Sequence, residues 1–174
     1  MNYGNNIWPK LFLFCLGLFI AAAFCMKWME RDFLHNGSLF TIIGLEITYP
    51  QGKVVDILSG LDDKVKTILR YHLLFDFVYM AGVFPGIATL CMIARQKSGS
   101  SILKIILLSF AFLQLVAWGC DIYENLCLLK WLKDPLSVRG FATYHFIVAA
   151  KWIIALIAVL LAIPFAIRRK KIIK

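Results

Sequence analysis

The chain has 174 residues, of which 61% are hydrophobic and 17% charged, with a mean hydropathy of +0.78. Soluble domains run near half apolar and a quarter charged, so an ordinary soluble domain, a disordered chain, a collagen-like repeat and a secreted disulfide scaffold are all excluded. The formal net charge of +9 does not point to nucleic acid, because the lysines and arginines gather at the ends of apolar blocks, as membrane flanks do.

Four stretches reach the roughly 20 apolar residues that a bilayer crossing needs. The first is 11–29. Lys10, the apolar run and Ala21-Ala22-Ala23 loosely fit a cleaved signal peptide. Apolar character continues through Phe24, Cys25 and Met26, which favours a retained span.

The outer loop 30–70 follows. Within it, 45–49 alternates apolar and polar as a half-buried strand does, Pro50-Gln51-Gly52-Lys53 supplies turn chemistry, and 54–58 reads as a second short strand. Residues 61–69 read as a short amphipathic helix with Asp62 near its start.

The remaining spans are 71–94, 102–132 and 141–167, joined by the short links 95–100 and 133–137. Short links join antiparallel neighbours. The expected fold is therefore an all-α integral membrane protein: one membrane domain, 1–174, forming an antiparallel four-helix transmembrane bundle with a short β-hairpin-like outer loop between helices 1 and 2.

Basic residues set the orientation. With the amino terminus cytoplasmic, that side holds Lys10, Arg95, Lys97, Lys104 and the tail Arg168, Arg169, Lys170, Lys171 and Lys174, with no acid. On the opposite side, six basic residues from Lys27 to Arg70 meet six acids from Glu30 to Asp63 and cancel. Both termini are expected inside, in the cell membrane if the source is bacterial.

Five cysteines, Cys15, Cys25, Cys91, Cys120 and Cys127, lie in or beside apolar segments, and none forms a C-x-x-C pair. Cys120 and Cys127 sit roughly 10 Å apart along one helix, too far to bridge. They read as small apolar packing residues.

Ionisable side chains in a spanning helix cost at least about 2.5 kcal/mol each at the bilayer centre, which makes each a functional candidate. Helical spacing puts His72, Asp76 and Tyr79 on one face of the second span. It puts Gln114, Asp121 and Glu124, with Asn125 adjoining, on one face of the third. On the fourth it aligns Tyr144 and Lys151, with His145 beside them. Counting the 1.5 Å rise from the flanking basic residues places Asp76, Asp121, Glu124 and Lys151 at one level in the outer half. Three acids against one lysine leave an imbalance that protonated carboxyls, histidine cations, a bound cation or water must meet.

Three functional readings follow, beside a purely structural one in which Lys151 and its carboxylates hold three helices together. In an enzyme acting on a lipid or lipid-linked substrate, His72 or His145 is the candidate general base, Asp76 or Glu124 orients it, Lys151 stabilises an oxyanion, and Asp121 is a further catalytic candidate. Tyr79, Gln114, Asn125 and Tyr144 would then contact substrate. In a metal site, His72, Asp76, Asp121, Glu124 and His145 offer nitrogen and oxygen ligands, although no ligand-spacing motif is present. In a cation- or proton-coupled transporter the acids carry the ion, but the nearly apolar inner half argues for a cavity closed at its base. The pattern names no cofactor. Expected partners are membrane lipid and, through the outer loop 38–60, a protein that would make the chain a non-catalytic interaction subunit.

Four spans with a β-like first loop resemble the claudins in outline, without their W-G-L-W motif and loop cysteine pair. The helix count is that of the disulfide-forming membrane oxidoreductases, without their essential cysteine pairs. The bacterial lipoprotein-remodelling transacylases are similar in architecture, but the outer loop here is shorter, and His72 and His145 do not align securely with their motif. The likeness is one of outline alone.

Overall fold

A computed structural model describes residues 6–168. The tail residues Arg169, Lys170, Lys171 and Lys174, which anchor the expected orientation, lie outside the described residues. Four helices are long and apolar enough to cross a membrane: α1 (Ile7–Met29), α3 (Asp63–Lys97), α4 (Ser101–Lys133) and α5 (Phe141–Ala166). Their starts carry the side chains that helix ends require. Asp62 accepts a hydrogen bond from the Val65 amide at 2.7 Å, and Asn6 and Ser100 cap α1 and α4 in the same way. Apolar side chains such as Leu13, Phe14, Ile20, Ile105, Leu115 and Leu160 point away from the protein. Water would disfavour so much exposed apolar surface, whereas lipid does not.

The segment between α1 and α3 departs from the expected hairpin. A two-stranded antiparallel sheet is present, but it pairs β1 (Leu34–His35) with β2 (Ser38–Leu39) rather than 45–49 with 54–58. Its turn is Asn36-Gly37, both with positive φ (50° and 74°), the conformation that a two-residue hairpin favours. Residues 45–48 fall instead in a π-helical turn, Gly44–Thr48, closed by the Tyr49 amide donating to the Gly44 carbonyl at 2.8 Å. Leu45 and Glu46 are both buried there; a strand would send neighbouring side chains to opposite faces. Residues 54–58 fall in α2 (Gln51–Gly60). Val54, Ile57 and Leu58 are its buried residues, and that is helical spacing.

The amphipathic segment 61–69 is no separate helix. From Asp63 onward it forms the first turns of α3. At 35 residues, α3 is about 52 Å long against a hydrocarbon thickness of about 30 Å. Its charged first turns therefore have room to lie beyond the apolar layer.

α3 is the central helix and packs against α1, α4 and α5. The closest approach is to α1. A Cβ on Gly82 would stand 2.6 Å from the Phe19 nitrogen and 2.9 Å from the Cys15 carbonyl oxygen, so only glycine fits. α1 has no comparable contact with α4 or α5. At one end, Asn6 donates to the Gln96 side chain at 2.7 Å and the Lys97 ammonium donates to the Ala166 carbonyl. The start of α1 and the finish of α5 thus meet the same end of α3.

Three apolar clusters lie along this axis. One joins the cap residues Phe33, Leu45, Val54 and Leu58 to Leu73 and Trp131 of the long helices. A small middle cluster holds Met80, Phe84 and Ala117. The third packs Cys91 and Leu107 against Ala158 and Ala162, whose small size brings α5 close. All five cysteines are free.

Candidate functional site

Between the first and second of these clusters the helices turn charged side chains toward one another. Lys151 of α5 is 6% exposed, and its ammonium pairs with both Asp121 and Glu124 of α4. The two acids are three residues apart, so one helix face presents both to a single cation. Asp76 of α3 is held differently. The Asn125 amide nitrogen donates to its Oδ2 at 2.7 Å and to the Leu73 carbonyl at 3.2 Å, clamping α4 to α3.

A fifth charged residue comes from outside the spans. Glu46, on the π-helical turn, is 8% exposed. Burial pushes its carboxyl well above the usual carboxylate range; Glu124, Asp76 and Asp121 add to that, and Lys151 opposes them. The turn is pinned by the Gly44 amide donating to Thr41 Oγ1 at 3.0 Å. Local pattern reading missed Glu46 because its 3.6-residue neighbours span no long helix. The available signal was Gly44, where a side chain would collide with the Tyr49 ring. π-turns of this kind recur at functional sites.

A cavity of about 190 Å³ opens onto this group. Asp76, Asp121, Lys151 and Glu46 give it a charged end, and Ala23 and Met26 of α1, Val83 and Phe84 of α3, and Trp152 and Ala155 of α5 give it apolar walls. Since α1 and α5 both pack on α3 and not extensively on each other, the cavity occupies the seam between them. The walls therefore include α1 and the loop as well as the three helices the sequence suggested.

His72 and Tyr79 also line it. The Tyr79 ring lies 5.1 Å from that of Phe19 on α1. His72 is fully buried beside Phe33, with ring centroids 5.3 Å apart, and neither ring nitrogen has a hydrogen-bond partner. Its Nε2 is 3.8 Å from Glu30 Oε1, and Glu30 is itself paired with Lys27. Asp76 makes no hydrogen bond to His72; its Oδ2 is held by Asn125.

Other candidates lie elsewhere. Gln114 lines a second cavity of about 330 Å³ among Trp8, Pro85 and Trp118, and donates to the Phe110 carbonyl at 3.1 Å. His145 stacks on Phe141, centroids 4.2 Å apart, and is not part of the cavity wall. Tyr144 is buried against Trp131 with its hydroxyl unpartnered. Among the described residues no group of three His, Cys, Asp or Glu side chains is arranged to hold a metal ion.

Comparison of the chain with protein-family models, with curated proteins and with solved structures gives no match.

Proposed function

We propose that the chain is an integral membrane protein, an antiparallel four-helix bundle with both termini cytoplasmic, whose cavity binds the head of a lipid or lipid-linked amphiphile from the outer leaflet. One observation carries this reading: a single cavity joins an ionisable end to apolar walls in the seam between two helices that do not close on each other. Ligand sites have this make-up, mostly apolar with a few convergent polar groups. A seam between spanning helices lets an acyl chain stay in lipid while its head reaches the charges. Below the cavity, Met80, Phe84 and Ala117 fill the space between helices, which favours a closed-bottomed binding site over a transport path.

A structural reading has its own support, because Lys151 is already satisfied by Asp121 and Glu124. Native mass spectrometry of the protein released from lipid nanodiscs separates the two. A bound amphiphile should be retained by the wild type and lost in Ala155→Trp, which fills the seam and removes no charged group. An empty wild-type protein, or retention unchanged in Ala155→Trp, would leave the charges as structural glue.

A further inference from the structure

The charges at the cavity end are unevenly served. Lys151 is shared by Asp121 and Glu124. Asp76 receives only a neutral amide, on Oδ2, and its other oxygen has no hydrogen bond from a described residue. Glu46 has no ion pair among the described residues. Both line the cavity, and so does His72, whose buried ring nitrogens are unpartnered.

From this arrangement we infer that the cavity selects a primary ammonium head, received by Asp76 Oδ1, a carboxyl oxygen of Glu46 and an imidazole nitrogen of His72. The inference rests on the amphiphile-binding reading and names the head group. A primary ammonium carries three N–H donors and no acceptor, and each of these three groups lines the cavity and offers it an acceptor. It also supplies the second positive charge that four carboxyls around one lysine lack. Buried charges persist when they are paired and hydrogen-bonded. An anionic head, such as a bare phosphate, would add to the negative excess and meet two lysines already paired with carboxylates, Lys151 with Asp121 and Glu124 and Lys27 with Glu30. Two of the three acceptors come from one face of α3, His72 and Asp76 being one helical turn apart. The third is brought by the cap, so the site is complete only with the π-helical turn docked.

The source of the ammonium, a long-chain amine or a soluble one, is set by whether the apolar seam contributes. The test is native mass spectrometry in nanodiscs at neutral pH with four probes: dodecylamine, N-dodecylacetamide, dodecanoic acid and propylamine. Dodecylamine should bind, and N-dodecylacetamide and dodecanoic acid should bind at least about tenfold more weakly, as loss of a charge-assisted hydrogen bond implies. Asp76→Asn and Glu46→Gln should each weaken dodecylamine by about tenfold or more and bring it level with the acetamide. Propylamine binding as well as dodecylamine would keep the ammonium assignment and overturn the lipid one. Equal binding of all three long-chain probes by the wild type would overturn the ammonium assignment and keep amphiphile binding. No binding of any probe would overturn both. The neutral acetamide is tested on the unmutated protein, so a variant that fails to fold does not blur the answer.

Discussion

Replacing Lys151 with methionine perturbs the charged layer at its one cation. Methionine keeps most of the aliphatic stem, so packing changes little. What disappears is the ammonium that Asp121 and Glu124 share. Glu124 is 0% exposed and Asp121 3%, so water cannot take its place. Removing one partner of a buried ionic group costs about 3–5 kcal/mol, which raises the unfolding equilibrium constant by about two to nearly four powers of ten. Neutralising the whole set should cost far less, because a buried ionic triad replaced entire by uncharged residues is close to neutral. The triple variant Lys151→Met, Asp121→Asn, Glu124→Gln should therefore recover most of the loss. Equilibrium unfolding in mixed micelles, with increasing denaturing detergent, reads both. A single variant within about 1 kcal/mol of wild type, the range of an exposed pair, would refute the buried network. So would a triple variant no more stable than the single one.

Gly82→Ala drives a methyl into the backbone of Cys15 and Phe19, which cannot yield as a side-chain tip would. The expected cost is about 1–3 kcal/mol, and Cys15, 2% exposed, should become reactive to maleimide when the other cysteines are replaced. Unchanged labelling would contradict the tight α1–α3 seam. Asn125→Leu removes the clamp on Asp76 and should cost about 1–3 kcal/mol in thermal unfolding, the price of an unsatisfied buried acceptor. For Glu46 the sign follows from its raised carboxyl. Folded Glu46 keeps its proton to higher pH than the unfolded chain, so the stability it contributes is full below the ordinary value of 4.5 and is lost as pH rises through the folded value. Amide exchange at residues 42–49 should be faster at pH 8 than at pH 5 after correction for intrinsic rates, and Glu46→Gln should remove the difference. A slope that survives in the variant would assign it to another group.

The four long helices were legible in the sequence because length and apolar content suffice to mark them. The inward faces of α3, α4 and α5 were legible too, since 3.6-residue spacing aligns Asp76 with Tyr79, Asp121 with Glu124, and Tyr144 with Lys151. Spacing gives direction and not neighbourhood. Gln114 shares the face of Asp121 but sits seven residues, about 10 Å, further along, in a different cavity. The cap was read least well. Asn36-Gly37 carried a stronger hairpin signal than the alternation at 45–49, and Val54, Ile57, Leu58 and Leu61 spelled a helical period that two short strand-like runs concealed. Glu46 reaches the charged group only through the tertiary fold of the cap, which local periodicity does not encode. The role of α1 as a wall was hidden for the same reason, because its charged residue in the cavity lining, Lys27, lies at the end of the span and reads as a membrane flank.

The central claim is that the seam between α1 and α5 admits an amphiphile to the charged end of the cavity. Photocrosslinking in nanodiscs with a lipid bearing a diazirine in its acyl chain, mapped by peptide mass spectrometry, tests it directly. Labels should concentrate on the cavity-wall residues Met26, Trp152 and Ala155 beyond their share of exposed surface, and that excess should vanish in Ala155→Trp. Labelling spread over outward residues such as Leu13, Ile105 and Leu160 in proportion to exposure, with no excess at the seam, would contradict it.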